Sequence, residues 1–248
     1  DIFIFLVTNP AFLLALIPVI SFFKGIHYKL LVHDIFPENL VAIKKINISS
    51  LGYKILKKIF DKSYVNADLC ISIGRDMTEV IKRKTKGKTK VELIPNWADH
   101  KEVFPLRKED TRLYNQLEIS GFIFQFAGNL GYAQGLDNIL SAISLVENKN
   151  ISFLFIGGGA KAEVIKAFGE QKENVIYIGF QERSMQKDFL NTCDVAIVTL
   201  SDGMYGLGVP SKSYNIMAAG KPILYIGDEK SERIAQVDGT AFNGCATG

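Results

Sequence analysis

Lys212 is the residue whose placement asks for chemistry. It lies in the run Gly208-Val-Pro-Ser-Lys212-Ser-Tyr-Asn-Ile-Met-Ala-Ala-Gly220-Lys-Pro222. The spacing predicts a short helix over Ser211–Ala219, with Ser211 as N-cap, Gly220 as C′ residue and Pro222 as a stop. A cation in the first helical turn opposes the helix dipole and costs roughly 0.3–1 kcal/mol unless an anion answers it. A bound phosphate would turn that cost into a gain, so the segment reads as a phosphate cradle. Tyr214, Met217 and Ala218 fall at helical spacing and are expected to face the core. Two glycine-rich loops offer a second anion-binding chemistry. Gly128-Asn129-Leu130-Gly131, followed by Gln134, links an apolar strand to a helix, and glycines there let backbone N–H groups approach an anion. Gly157-Gly158-Gly159 follows the next strand and loosely fits a dinucleotide fingerprint. That fingerprint also needs an acid at the end of the following strand, about 20 residues on. The strand Val175–Ile178 ends instead in Gly179-Phe180, and Glu182 comes too late, so a nicotinamide dinucleotide is not expected.

These loops need strands and helices to hold them. Continuous apolar runs at Phe122–Ala127, Ile151–Ile156, Val175–Ile178, Val195–Thr199 and Ile223–Ile226 mark strands covered on both faces. Helices are predicted near Leu136–Val146, Ala162–Ala167 and Met185–Asn191. The first part of the chain repeats the alternation, with strands at Ile2–Val7, Lys29–Val32, Leu69–Ser72 and Val91–Ile94. Its helices are expected near Ala11–Phe23, Ile48–Phe60 and Met77–Lys82, and the lysine-rich stretch Lys84–Lys90 as a solvated loop. This is an α/β plan of two Rossmann-like, doubly wound domains, where ligands sit at the carboxyl ends of strands. The polar segment Asp99–Asn115 is the expected interdomain linker, giving domains 1–106 and 107–248. The opening residues look like the middle of a domain, so the first domain is expected to be incomplete; separately, a closing C-terminal helix is expected to be missing and the piece alone to be inactive.

Composition sets bounds. The 248 residues are 48% apolar and 22% charged, ordinary for a folded chain with a sizeable core. Three widely spaced cysteines, Cys70, Cys193 and Cys245, fit neither a disulfide scaffold nor a zinc site. They fit a reducing compartment, with Cys70 and Cys193 as small core residues. No metal is expected. The net charge of +3 is uneven: residues 1–100 carry +6 and residues 101–248 carry −3. The first part is therefore expected to meet something anionic. The uncharged stretch Ile2–Phe23 is broken by Thr8-Asn9-Pro10 and reads as strand, turn and helix, not as a membrane span.

In order, Gly-Asn-Leu-Gly, Gly-Gly-Gly, Ile-Gly-Phe and Val-Pro-Ser-Lys…Met-Ala-Ala-Gly-Lys-Pro resemble the GT-B retaining glycosyltransferases of family 4. The likeness is nearest to bacterial polysaccharide enzymes of the WbuB fucosaminyltransferase type. Val32-His33-Asp34-Ile-Phe-Pro37-Glu38 and Ile94-Pro95-Asn96-Trp-Ala-Asp99 resemble the family's acceptor-domain and interdomain signatures. The resemblance implies a GT-B fold, a nucleotide-sugar donor (by family habit a uridine one) and no cofactor or metal. It implies a diphosphate over Gly128, Asn129, Gly131 and Gln134 and at Pro210, Ser211 and Lys212, and a nucleobase near Gly179 and Phe180. Tyr214 and Asn215 complete the implied donor site, and His33 stands where the family places a histidine beside the donor sugar. His33 and Lys212 are thus the expected catalytic residues. Many relatives carry Arg and Lys at the positions of Asn129 and Gln134, and a glutamate at that of Asn215. With those charges missing, Lys212 is the expected fixed cation.

The implied acceptor is a lipid-linked saccharide in cell-surface polysaccharide or O-antigen synthesis. The helix around Leu51–Phe60 interleaves apolar residues with Lys54, Lys57 and Lys58, as in helices that rest on anionic lipid. Together these imply a cytoplasmic protein held at the inner face of the plasma membrane. The lysines lack the aromatic pattern of a nucleic-acid binder. Two other readings stay open: a nucleotide-sugar 2-epimerase, and a non-catalytic GT-B subunit that binds the donor.

Overall fold

The continuous apolar runs become strands, and every strand pairing in the computed structural model is parallel. The structure describes residues 3–117 and 119–227. They fall into two compact units.

The first unit comprises residues 3–96 together with Asp202–Val209. Its strands β1 (Phe3–Val7), β2 (His27–Val32), β3 (Leu69–Ser72) and β4 (Lys90–Leu93) lie in the order β1-β2-β3-β4. The helices are α1 (Phe12–Lys24), α2 (Glu38–Ala42), α3 (Leu51–Val65) and α4 (Arg75–Thr85). Helix α3 starts later than its apolar spacing predicts, because the Ser50 hydroxyl caps it by accepting from the Tyr53 N–H at 3.1 Å. Helix α4 runs past the predicted end, and the expected solvated loop at Lys84 is corrected by this. Lys84 rides on the last turn and is only 2% exposed, bridging inward to Glu38 and Asp61. Nothing in a lysine-rich run says which lysine faces a carboxylate pair brought from two other helices.

The second unit comprises Trp97–Ser201 and residues 210–227. It holds α5 (Arg112–Leu117), β5 (Phe122–Ala127), α6 (Leu136–Ser144), β6 (Ile151–Ile156) and α7 (Ala162–Gly169). It continues with β7 (Val175–Ile178), α8 (Gln186–Asn191), β8 (Val195–Thr199), α9 (Lys212–Ala218) and β9 (Ile223–Ile226). The strand order is β7-β6-β5-β8-β9. One core packs α6 and α7 on one sheet face through Phe126, Leu136, Ile139, Ile143, Phe155 and Ile165. The order reverses between β5 and β8, and ligands of open α/β sheets bind at such a switch point.

The unit begins at Trp97, earlier than the expected division after residue 106. The polar segment expected to be a free linker is tied down. Buried Asn191 accepts from the Leu106 N–H at 2.9 Å and donates to the Phe104 carbonyl at 3.0 Å. Val103 and Thr111 are buried too. Cys70 and Cys193 are free and buried, as expected; Cys245 lies outside the described residues. Among the described residues no helix is long and apolar enough to cross a membrane.

Helix α9 ends as its sequence demands but begins differently. Gly220 adopts φ +66°; its N–H reaches the Met217 carbonyl at 2.9 Å, and the Lys221 N–H reaches Ile216 at 3.2 Å. These two bonds form a Schellman stop. Gly220→Ala forces an L-residue into the left-handed region and is expected to cost about 1–2 kcal/mol, read from urea denaturation. At the other end Ser211 is not the expected cap. It already has helical dihedrals and its hydroxyl makes no cap bond. The winding starts one residue sooner because the Pro210 carbonyl accepts both the Ser213 N–H (3.2 Å) and its hydroxyl (2.9 Å). The buried face also differs from the expected one. Ser213, Ile216 and Ala219 are buried, whereas Met217, expected in the core, is 38% exposed.

Candidate functional site

In the second unit the carboxyl ends of β5, β6 and β7 lie side by side, and each carries one of the glycine-bearing turns. The turns after β5 and β6 interlock through their backbones. The Leu130 N–H donates to the Gly158 carbonyl (2.9 Å), and the Lys161 N–H donates to the Leu130 carbonyl (2.8 Å). The approach is close enough that a Cβ on Gly157 would come within 2.0 Å of the Gly128 carbonyl oxygen. The Gly157-Gly158-Gly159 run is therefore needed for loop-on-loop packing, a role the dinucleotide pattern did not foresee. The Tyr177 hydroxyl donates to the Gly157 carbonyl (3.1 Å) and fixes the turn from β7.

Lys212 is brought to this edge. Its side chain passes Gly128, whose added Cβ would lie 3.7 Å from Lys212 Cδ and 3.9 Å from Nζ. Nζ sits over the Phe126 ring, 3.4 Å from its centroid. No carboxylate pairs with it among the described residues. Burial lowers the pKa of the amine to about 7. A lysine with no carboxylate partner among the described residues, over an aromatic ring and beside exposed loop backbone, has the chemistry to receive an anion. Phe126 was not foreseen from the sequence; its position two residues before Gly128 was the available signal.

The other expected residues divide. Asn129 folds over its neighbours, so a Cβ on Gly131 would lie 3.2 Å from Asn129 Nδ2 and one on Gly159 2.6 Å from Oδ1. Gln134 closes the turn Tyr132–Gln134, and its carboxamide oxygen is buried without a protein partner. Pro210 and Ser211 precede Lys212 on the same turn, and Tyr214 and Asn215 are half-buried on α9. Gly179 and Phe180 follow β7, two strands from β5, about 10 Å along the sheet edge. Phe180 is 78% exposed, so its ring face is free.

His33 belongs to the first unit, just beyond β2. Its N–H and that of Asp34 both donate to the hydroxyl of buried Thr8, at 3.1 and 3.2 Å. Its half-buried ring makes no hydrogen bond among the described residues, unlike a structural core histidine. Asp34 forms a backbone bridge with Gly208. Burial raises the Asp34 carboxyl above its ordinary 3.8, with His33 pulling the other way. Thr8 and Gly208 were not singled out for this turn from the sequence. Among the described residues no cluster of His, Cys, Asp and Glu could hold a metal ion.

Comparison with known proteins decides the family. The sequence profile described as "Glycosyl transferases group 1" matches residues 111–236. The chain belongs to the group 1 glycosyl transferases. This glycosyl transferase chain is 44% identical over 241 residues to the "Probable glycosyltransferase WbjE" of Pseudomonas aeruginosa, covering 95% of the chain and 60% of that protein. It is 28% identical over 171 residues to the "Putative colanic acid biosynthesis glycosyl transferase WcaI" of Escherichia coli strain K12, covering 66% of the chain and 42% of that protein. It therefore spans less than two thirds of the length of these curated relatives. The crystal structure of Anabaena HepE in complex with UDP-glucose superposes with a TM-score of 0.74 at 15% identity, over 95% of this chain and 61% of that one. The parallel α/β sheets are thus of the GT-B glycosyltransferase kind.

Proposed function

We propose that this chain forms the donor site, and part of the acceptor domain, of a retaining glycosyltransferase. The enzyme would move a sugar from a nucleotide-sugar, UDP-linked by the resemblance, to a lipid-linked saccharide in bacterial cell-surface polysaccharide synthesis. A donor-binding and an acceptor-binding domain are part of this reading, divided at Trp97 and not after residue 106, with Asp202–Val209 returning to the first unit. The observation that carries it is Lys212, without a carboxylate partner among the described residues and laid against Gly128 at the switch point of the second sheet. WcaI, named for colanic acid biosynthesis, and HepE, crystallised with UDP-glucose, support the polysaccharide and donor assignments.

In this reading the diphosphate lies over Gly128, Asn129 and Gly131 and is met by Lys212, Ser211 and the backbone N–H groups that follow Pro210. Gln134, Tyr214 and Asn215 offer neutral hydrogen-bonding groups to donor hydroxyls. The nucleobase stacks on exposed Phe180 beside Gly179. His33 is assigned to the donor sugar. The bond from the anomeric carbon to the diphosphate breaks and one to the acceptor oxygen forms on the same face. The acceptor's proton passes to the departing phosphate oxygen. Lys212 stabilises the charge that develops there, which is preorganised electrostatics. No cofactor is required. The protein works on the cytoplasmic face of the plasma membrane, where its acceptor is anchored.

Isothermal calorimetry with UDP and UDP-hexoses tests the donor site. Saturable binding is expected, with a melting temperature that rises with the logarithm of ligand concentration. An absence of binding by every nucleoside diphosphate overturns the reading. Nucleotide release only with a lipid-linked acceptor supports transfer, release without one supports an epimerase, and binding without any release supports a non-catalytic subunit.

A further inference from the structure

In the first unit, the turn that carries His33 is held from outside itself. It runs through His33, Asp34, Ile35 and Phe36 and enters α2 at Glu38. A backbone N–H shut off from water must be paired or it costs free energy. All four N–H groups of this turn are paired, and each partner comes from another part of the chain. The hydroxyl of Thr8, directly after β1, accepts from His33 at 3.1 Å and from Asp34 at 3.2 Å. The carbonyl of Leu207, on the segment Asp202–Val209 of the same unit, accepts from Ile35 at 2.9 Å. The hydroxyl of Tyr64, on the last turn of α3, accepts from Phe36 at 3.3 Å and donates to the Asp34 carbonyl at 3.4 Å. Thr8 and Tyr64 are both fully buried.

The far end of the turn is fixed by charge. Glu38, the first residue of α2, meets Lys57 at 2.6 Å and Lys84 at 2.8 Å. This revises the sequence reading of α3, since Lys57 turns inward to Glu38 and Asp61 instead of facing outward. Such a cluster gains little net stability against its desolvation cost, but it sets where the turn ends. Within this frame the half-buried His33 imidazole makes no hydrogen bond of its own among the described residues. Its direction follows from its backbone and its rotamer. A group that meets a ligand needs a supporting shell to lock it, and here two hydroxyls supply one.

We propose that Thr8 and Tyr64 are positioning residues that aim the His33 imidazole through the backbone of its turn. This rests on the assignment of His33 to the donor sugar made above. Histidines labelled with ¹³C at Cε1 in the 248-residue chain give three NMR signals to test it, from His27, His33 and His100. His33→Ala identifies the His33 signal. Thr8→Val and Tyr64→Phe remove a hydroxyl and keep the side-chain shape, and each is expected to shift or split that signal. Thr8→Ser, which keeps the hydroxyl, is expected to leave it in place. His27 stands at the other end of β2 with its ring on Asp68 at 3.0 Å, so its unmoved signal reports an intact fold. Each variant is a test by itself, so one that does not fold leaves the other. Calorimetry then uses UDP and the UDP-hexose that binds best. Both hydroxyl variants are expected to weaken the UDP-hexose about three- to tenfold and to leave UDP unchanged. In a chain already carrying His33→Ala they are expected to cost nothing more, which a general structural role would not reproduce. An unmoved His33 signal in both variants, equal weakening of UDP, or additive losses with His33→Ala overturns the proposal. A moved signal with UDP-hexose affinity unchanged, in these variants and in His33→Ala alike, keeps the two hydroxyls as the mount of His33 and overturns its assignment to the sugar instead.

Discussion

Replacing Lys212 with methionine is expected to weaken UDP binding by about 10–100-fold at pH 7. Methionine keeps the apolar stem over Phe126 and removes only the ammonium. A hydrogen bond to a charged group is worth about 1.5–3 kcal/mol, and about 1.4 kcal/mol is tenfold in affinity. The loss sits at the upper end if the amine is the main cation for the diphosphate, since Asn129 and Gln134 supply none and Lys161 is held by Asp137 at 2.9 Å. The same lysine makes binding pH-linked. In the empty site burial brings its pKa to about 7, and an adjacent diphosphate raises it. Well below pH 7 the amine is charged in both states and adds no pH dependence of its own. Above pH 7 binding must first take up a proton, so affinity falls about tenfold per pH unit. Calorimetry at pH 8.5 in two buffers of different ionisation heat should show uptake of nearly one proton, and Lys212→Met should show none. Equal affinity and equal proton uptake in the two proteins would refute the role of Lys212.

Lys84→Met is expected to destabilise the first unit by about 3 kcal/mol, the low end for breaking a buried ion pair because Lys57 remains. Lys84 contacts Glu38 at 2.8 Å and also Asp61, and Lys57 contacts Glu38 at 2.6 Å. Burial alone would raise the Glu38 pKa, but the two lysines more than reverse this and hold it below the ordinary 4.5. Burial pulls the Lys84 pKa below 10.5 against the pull of both carboxylates, so the ammonium is held there at a desolvation cost. A depressed carboxylate pKa stabilises the fold above the unfolded value, and this contribution is lost as pH falls through the folded one. The cost of Lys84→Met should therefore shrink on acidification below pH 4.5. Urea denaturation followed by tyrosine signals checks both statements. A companion Glu38→Gln change should recover part of the loss, because it removes a carboxylate that Lys84→Met leaves without one of its cations.

The exposed helix face of the first unit and the Gly128–Lys212 edge of the second were legible to different degrees. The Gly128 turn and Lys212 could be read because their chemistry is local: a glycine turn after an apolar strand, and a cation where a helix dipole opposes it. The role of Gly157 could not, because the carbonyl it approaches comes from another strand. The exposed phenylalanines of α1 read as an ordinary apolar helix, since sequence does not say which face stays uncovered.

The sequence by itself determined the two parallel α/β sheets, because runs of branched and aromatic residues bounded by glycine have few other ways to bury both faces. It also determined the stop at Gly220 and the candidate anion site. Only the tertiary structure decided that Lys84 is buried while its neighbours are solvated, and that Ser211 does not cap α9. It also decided that the supposed linker is fastened through Asn191 and that Lys212 rests on Phe126. Each of these depends on a partner distant in the chain. A burial cost or a hydrogen bond is set by which atoms the fold brings within a few ångströms, and no local pattern encodes that.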